Sequence, residues 1–368
     1  MKRPVVVVTG ASAVTALGRT LAETRAALAA GRSAVASIEG PGVPERAERS
    51  PAARIGAFTT EPELPKSKAR RLDRGSQYAM VAARQCLADA HYAMAGREER
   101  TGILFGTGSA GAGPLTEFER QMAESPESAS PFLFPNTVSN APASQAAIEI
   151  GIKGPNVTIT QKDPAPLNAL FYGRMLLADG RADALIVGAS DEWNLDYHLA
   201  YERIHATRTA TRAGFVLGEG AAALLVEDAD AARARGAQPL ARVASVVSRG
   251  APVSPQHRRA DPATLAAVMN AALAEAGVTP RDVGLVHLSR NGVPATDAAE
   301  DAALAAVFGL AQPPAVAIKD ALGENPAIGA IQLALAADAL RTAPGLGAVL
   351  VNAFGAGGNF LAAVLTAP

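Results

Sequence analysis

The residues of this chain best equipped for chemistry are two carboxylates, a lysine and a histidine that lie far apart in the sequence. The segment Lys153-Gly-Pro-Asn-Val-Thr-Ile-Thr-Gln-Lys-Asp-Pro-Ala-Pro-Leu-Asn-Ala169 reads as a strand, a sharp turn and a helix, with Asp163 on the turn. Followed by Pro164, Asp163 is expected to cap the helix: its carboxylate can accept from free backbone N–H groups, and proline suits the first helical turn. Pro166 fits the same turn because its missing N–H would have had no partner within the helix. Paired with Glu324 and joined by His287, Asp163 could instead do acid/base work, provided the two carboxyl groups titrate apart. A histidine packed on a strand is the expected role of His287, and a structural hydrogen bond that of Lys319.

Other reactive types point away from familiar chemistries. The only cysteine, Cys86, falls within helical Ala82–Ala90 and is expected to be a small buried hydrophobe. One thiol forms neither an internal disulfide nor a thiolate cluster, which fits a reducing cytoplasm. His198, His205 and His257 lie in polar surroundings and are expected on the solvated surface, without metal-ligand spacing. The glycine-rich run Gly106–Gly111 lacks the Lys-Ser/Thr ending of a phosphate loop.

The elements that must position these groups alternate along 368 residues. Short β-branched runs at Val5–Thr9, Gly102–Gly106, Val157–Thr160, Ala184–Val187 and Phe215–Val226 predict strands buried on both faces. Alanine-rich amphipathic stretches at Thr20–Ala30, Gln77–Ala90, Leu167–Ala178, Ala263–Ala276 and Asp297–Phe308 predict helices. That alternation argues for an α/β fold. Buried strands recur at Asp183–Ala189 and Gly345–Ala353, and glycine-bearing hairpins are expected at Arg212–Ala221 and Phe354–Asn359. The echo suggests two halves, 1–235 and 236–368, with the seam near Ala231–Leu240. Residues 41–70 and 121–136 read as long loops. The composition, 49% hydrophobic and 19% charged with a net charge of -1, gives no electrostatic reason to expect nucleic acid or an anionic membrane. No apolar run approaches the ~20 residues of a membrane span. The basic N-terminus reaches Thr9-Gly10 too soon for a signal peptide and reads as a first buried strand.

Several motifs, in order, resemble those of the β-ketoacyl-acyl-carrier-protein synthases, or ketosynthases. They are Val7-Val-Thr-Gly-Ala-Ser-Ala-Val-Thr-Ala-Leu-Gly18, Arg71-Leu-Asp-Arg-Gly-Ser-Gln-Tyr-Ala79, Pro131-Phe-Leu-Phe-Pro-Asn-Thr-Val-Ser-Asn140 and Gly214-Phe-Val-Leu-Gly-Glu-Gly-Ala221. The resemblance implies a thiolase-like fold, a duplicated five-layered α-β-α-β-α sandwich, and a dimer whose tunnels approach the interface; it implies no cofactor. It also exposes what is missing. The position of the family's acyl-accepting cysteine is Asp163. The loop Asp282–Asp297 aligns with the first histidine loop, where the histidine becomes Ser289. In Lys319-Asp-Ala-Leu-Gly-Glu-Asn-Pro326 the second histidine becomes Glu324, and in Phe354-Gly-Ala-Gly-Gly358 the gating phenylalanine becomes Ala356. Nucleophilic acyl transfer needs an activated thiol and a positioned partner.

This pattern resembles the chain length factors, cysteine-less ketosynthase homologues that pair with an active ketosynthase in type II polyketide and aryl-polyene assembly lines. Asn291-Gly-Val-Pro294 and Leu167-Asn-Ala169 look like theirs. The resemblance implies a heterodimer with a cysteine-bearing ketosynthase paralogue, an acyl carrier protein served by the complex, and a tunnel ended by side chains of this subunit. Candidates are Thr107, Ser109, Leu115, Phe118, Phe132, Leu133 and Phe134, with dimer-core packing the competing role for Phe132 and Phe134. The segment between Asp191 and Arg212 is shorter than is usual in the family and lies over the expected substrate entrance. The competing readings are altered chemistry on acyl thioesters by Asp163, His287 and Glu324, and an acyl-binding homodimer.

Overall fold

A computed structural model describes residues 5–39, 43–252, 261–343 and 345–368; His257 lies outside them. The strands are β1 (Val6–Thr15), β2 (Val35–Ala36), β3 (Ala52–Ala53), β4 (Thr101–Thr107), β5 (Asn156–Thr160), β6 (Ala184–Asp191), β7 (Leu217–Gly218), β8 (Gly220–Asp228), β9 (Ala241–Gly250), β10 (Val283–His287), β11 (Ala315–Val316), β12 (Ala348–Phe354) and β13 (Asn359–Thr366). Ten of them form one hydrogen-bonded sheet in the order β11-β10-β12-β13-β9-β1-β8-β6-β4-β5; β2, β3 and β7 form a small second sheet.

The large sheet consists of two similar halves. In the first, β5, β4 and β6 run parallel and β8 and β1 continue antiparallel; in the second, β11, β10 and β12 run parallel and β13 and β9 continue antiparallel. Among the described residues a short β1–β9 pairing, Val7 with Arg242 and Val8 with Ala241, joins them. We propose the seam at 235/236, after the helix Ala229–Ala234.

Side-chain alternation along each strand turns this sheet into a layered sandwich. On β8, Leu224 and Val226 face an inner core while Leu225 faces an outer one; on β12, Val349 and Val351 face the same inner core while Leu350 faces another outer one. Each buried leucine or valine of this kind contributes about 1.5–3 kcal/mol. The helices Ala165–Ala178 and Ile328–Thr342 fill the inner layer, Arg74–Asp89 and Ala141–Ile150 cover one outer face, and Pro262–Ala276 and Pro294–Phe308 cover the other. The thiolase-like, five-layered fold is therefore present.

Local signals account for most element boundaries. Thr20 and Glu23 form a capping box before the helix Leu21–Ala29, and Asp73 and Asp261 cap the helices that follow them. Some expectations need correction. The strand β1 runs on to Thr15 because a register shift at Gly10 carries it past the turn-like Thr9-Gly10 pair, where a Cβ would strike the Cys86 carbonyl. Residues 121–124 continue the helix Ala112–Glu124, and residues 41–70 contain β3 and the helices Glu45–Glu48 and Lys66–Ala69. Phe354–Asn359 does turn β12 into β13, but Arg212–Ala221 is no hairpin, since β7 pairs with β3 in the small sheet and β8 then enters the large one. Cys86 is buried as expected, and its thiol reaches the Gly10 carbonyl at 3.6 Å. Among the described residues no helix is long and apolar enough to cross a membrane.

Candidate functional site

The parallel strands β5 and β10, together with the β12–β13 turn, bring their ends to one cavity of about 740 Å³. At the end of β5 the chain must turn sharply into the inner-layer helix. Lys162 achieves this with φ 54, a conformation that is sparse for residues with a side chain. The turn is tightly packed: a Cβ on Gly355 would approach Pro164 Cγ at 2.9 Å, and one on Gly108 would approach Pro326 Cγ at 2.6 Å.

Asp163 lines the cavity, but not as the expected cap. Helical residues begin at Ala165, Pro164 occupies the capping position, and no side chain caps that helix. The carboxylate turns instead to Lys319, whose Nζ lies 3.6 Å from Asp163 Oδ2 and 3.1 Å from Glu324 Oε2. A buried ammonium attracts carboxylates more strongly than the partial charges of a helix N-terminus, and Lys319 comes from the other half of the fold. Lys319 Nζ also donates to Glu324 Oε1 at 3.3 Å, so the expected structural bond of Lys319 is present. Burial and the neighbouring Asp163 push the Glu324 carboxyl well above the ordinary carboxylate range, with Lys319 opposing. Burial pulls Lys319 down, but Glu324 and Asp163 more than offset this and hold it above the ordinary lysine value.

The loop after β10 is held by carboxylates. Glu300 accepts from the backbone N–H groups of Ser289 and Arg290 at 2.9 and 2.8 Å and from Asn352 Nδ2 at 2.9 Å. Asp297 accepts from the N–H groups of Asn291 and Gly292 at 3.0 and 3.1 Å. This folding places Asn291 and Val293 in the cavity wall. Ser289 is buried, and its Oγ accepts from the Phe354 N–H at 2.9 Å. His287 is also buried and is not a wall residue; neither ring nitrogen has a hydrogen-bond partner among the described residues. Burial alone lowers its pKa to about 4, so the ring is neutral. His287 is the packed strand histidine.

Asp191 folds the glycine-rich loop after β4. Its Oδ1 accepts from Thr107 Oγ1, the Gly108 and Ser109 N–H groups and Ser109 Oγ at 2.8, 3.2, 2.7 and 2.8 Å. These N–H groups serve a carboxylate of the chain itself, and burial raises Asp191 to about 6. Of the tunnel candidates, Ser109 lines the cavity and Thr107 is buried beneath it. Ala356 is also part of the wall, opening space where a phenylalanine would stand.

Sequence reasoning missed the opposite wall. The shortened 191–212 segment forms the helix Leu195–Arg203, which with its flanks contributes Glu192, Trp193, Tyr197, Tyr201 and Ile204. The signal in the sequence is the length of that segment together with its aromatic residues Trp193, Tyr197 and Tyr201. Burial first, then the Asp73 carboxylate, raises Glu192 to about 7. His198 is a correction: it is buried, with Nδ1 accepting from Trp193 Nε1 at 3.4 Å, because its helix packs on the helix Glu45–Glu48. His205 is exposed as expected.

The remaining tunnel candidates lie apart from the cavity. Phe132 is 77% exposed and Phe134 61%; Leu115 is also exposed, Leu133 is half-buried, and Phe118 packs on Phe134 with ring centroids 5.6 Å apart. Nearby, Ile148, Phe171, Tyr172 and Met175 are exposed on the two helices that flank β5, the last strand of the sheet.

Comparison with known proteins matches residues 3–232 to the beta-ketoacyl synthase N-terminal domain and 240–344 to the C-terminal domain. A 3-oxoacyl-[acyl-carrier-protein] synthase 2 from Vibrio cholerae serotype O1 is 30% identical over 318 residues, 82% of this chain and 76% of that protein. One from Staphylococcus aureus strain COL is 28% identical, covering 83% and 77%. Among solved structures, the ishigamide ketosynthase/chain length factor superposes with a TM-score of 0.87 at 25% identity over 100% of both chains. A beta-ketoacyl synthase from Burkholderia phymatum shares the fold with a TM-score of 0.85 at 23% identity over 99% and 100%.

Proposed function

The chain belongs to the β-ketoacyl synthase family, and within it we propose that this is the non-condensing subunit of a heterodimer, a chain length factor paired with a cysteine-bearing ketosynthase paralogue in the cytoplasm. One observation carries this reading: the elbow holds Asp163 in an ion cluster with Lys319 and Glu324, while Cys86, the only thiol, is buried on another helix. Acyl transfer needs a thiolate at the elbow, and burial raises the Cys86 thiol well above its ordinary value. A malonyl carboxylate would also meet three carboxyl groups in the same cavity, those of Asp163, Glu324 and Glu192.

The apolar face beside β5 supports a partner. An open sheet edge flanked by exposed Phe132, Phe134, Ile148 and Phe171 is an unstable surface for a lone chain and a natural docking surface. In the proposed complex Phe132 and Phe134 cross to the partner's tunnel and stop its acyl chain by steric overlap. An acyl carrier protein delivers that chain to the partner, in polyketide, aryl-polyene or fatty-acid-like synthesis. The likeness to the ishigamide ketosynthase/chain length factor supports this reading. The competing reading with His287 as an acid/base group loses that member, which lies outside the cavity wall.

The test is coexpression with a cysteine-bearing ketosynthase of the same genome, followed by product analysis of the purified pair. A stable complex whose products lengthen with Phe132→Ala or Phe134→Ala is expected. No complex, or product lengths indifferent to both substitutions, would remove the proposal.

A further inference from the structure

Glu192 leads from β6 into the aromatic wall: it follows Asp191, precedes Trp193 and itself lines the cavity. Three other carboxyl groups surround it. Asp73 caps the helix Arg74–Asp89, whose Gly75 N–H donates to Glu192, so two carboxyl groups share one helix start. Asp73 Oδ2 accepts from the Ser76 N–H at 3.2 Å, and its Oδ1 is buried without a hydrogen-bond partner among the described residues, as is Asp191 Oδ2. Glu219, between β7 and β8, accepts from the N–H groups of Ile55 and Trp193 at 2.6 and 3.0 Å. Gly113 of the helix Ala112–Glu124 packs so closely that a Cβ on it would strike Glu192 Oε1.

The cations nearby are committed elsewhere. Arg74 is the guanidinium whose field reaches both Glu192 and Glu219, yet it donates to the Ile55 and Gly56 carbonyls at 2.7 Å and to the Tyr78 hydroxyl. Arg54 stacks on the Trp193 ring, 4.3 Å from its centroid, and burial keeps Tyr78 protonated. Four carboxyl groups around one guanidinium leave excess negative charge when all ionise, and like charges repel strongly in a poorly hydrated site. Glu192 is the member free to leave. Asp191 Oδ1 accepts from Thr107 and from the Gly108–Ser109 loop, and Glu219 ties two backbone segments together. Glu192 borders the cavity instead, with the Lys162 ammonium in the same wall.

We propose that Glu192 is a pH-operated latch on the aromatic wall. Uncharged, its carboxyl stays packed among Asp73, Gly75 and Gly113; ionised, it swings away from the other carboxylates into the cavity, and Trp193 and the helix Leu195–Arg203 loosen with it. Burial, then Asp73, Glu219 and Asp191, raise this carboxyl to about 7, so the latch works across neutral pH. The device goes beyond the pairing role: it belongs to this chain alone, and each can fail without the other.

Trp193 is the only tryptophan of the chain, so acrylamide quenching of its emission reports the wall directly. The full chain is measured from pH 5.5 to 8.5, with far-UV circular dichroism followed in parallel. A quenching constant that rises at least two-fold, with a midpoint near pH 7 and constant dichroism, is the expected result. Glu192→Gln, which cannot ionise, should give low quenching throughout. Asp73→Asn keeps a capping oxygen for the Ser76 N–H but removes one repelling charge, and should move the midpoint to lower pH. Quenching indifferent to pH, a change of emission intensity at constant quenching, a rise that tracks loss of dichroism, or a rise that persists in Glu192→Gln would each overturn the proposal. Should Glu192→Gln fail to fold, Asp73→Asn decides, and an unmoved midpoint overturns it.

Discussion

Replacing Lys319 with methionine keeps the length and apolar stem of the side chain but removes the one ammonium that Asp163 and Glu324 share. Lys319 is buried, and its Nζ stands 3.6 Å from Asp163 and 3.1 Å from Glu324. At an effective dielectric near 20, a unit-charge pair at 3.6 Å is worth about 5 kcal/mol before desolvation is subtracted. Because Glu324 is pushed toward its neutral form, the Asp163 pair carries most of this energy. Removing one partner of a buried pair typically costs about 3–5 kcal/mol, since the remaining charge stays desolvated. Lys319→Met should therefore lower unfolding stability by about 3–5 kcal/mol, read from urea unfolding at pH 7 by circular dichroism. Asp163→Asn added to that variant removes the stranded charge and should restore about 1–2 kcal/mol, giving a double-mutant coupling well above the ~0.5 kcal/mol scatter of independent sites. A loss below about 1 kcal/mol for Lys319→Met, or strict additivity of the two changes, would refute the ion cluster as described.

Three further outcomes follow from the geometry. Burial raises the folded pKa of Glu192 to about 7 from its ordinary 4.5, so its contribution to stability is full below 4.5 and is lost as pH rises through about 7. Glu192→Gln should remove up to about 3 kcal/mol of that decline between those limits, and a pH series of unfolding curves identical to the parent's would exclude this. Phe132, at 77% exposure, should tolerate Asp with a stability change within about 0.5 kcal/mol while pairing with the ketosynthase weakens at least ten-fold by analytical ultracentrifugation. Asp163→Cys alone should yield no condensing activity, because Ser289 is tied to the Phe354 backbone and Glu324 occupies the other histidine position; measurable chain extension would contradict this.

Local physics made much of the fold legible before the structure. The alanine-rich stretches Thr20–Ala30, Gln77–Ala90 and Ala263–Ala276 predict helices that the structure places at Leu21–Ala29, Arg74–Asp89 and Pro262–Ala276, because an apolar face repeating with the helical period is a local signal. Motif order put Asp163 at the elbow with Glu324 and Ala356 as its companions, and all three line the cavity. Long-range contacts were not legible. Asp163 has every local reason to cap its helix, yet a lysine 156 positions later in the sequence draws its carboxylate away. His198 sits in a polar stretch but is buried by packing against Trp193 and a short distant helix. The aromatic wall from Trp193 to Ile204 faces residues of the other half across the cavity, which no window of sequence contains.

The most direct measurement is the intact mass of each subunit after the reconstituted pair is quenched during extension from an acyl-primed carrier protein and malonyl carrier protein. The account predicts an acyl mass on the cysteine-bearing partner alone and an unmodified mass for this chain. A covalent acyl adduct on this chain, or carbon–carbon extension by this chain without the partner, would contradict it.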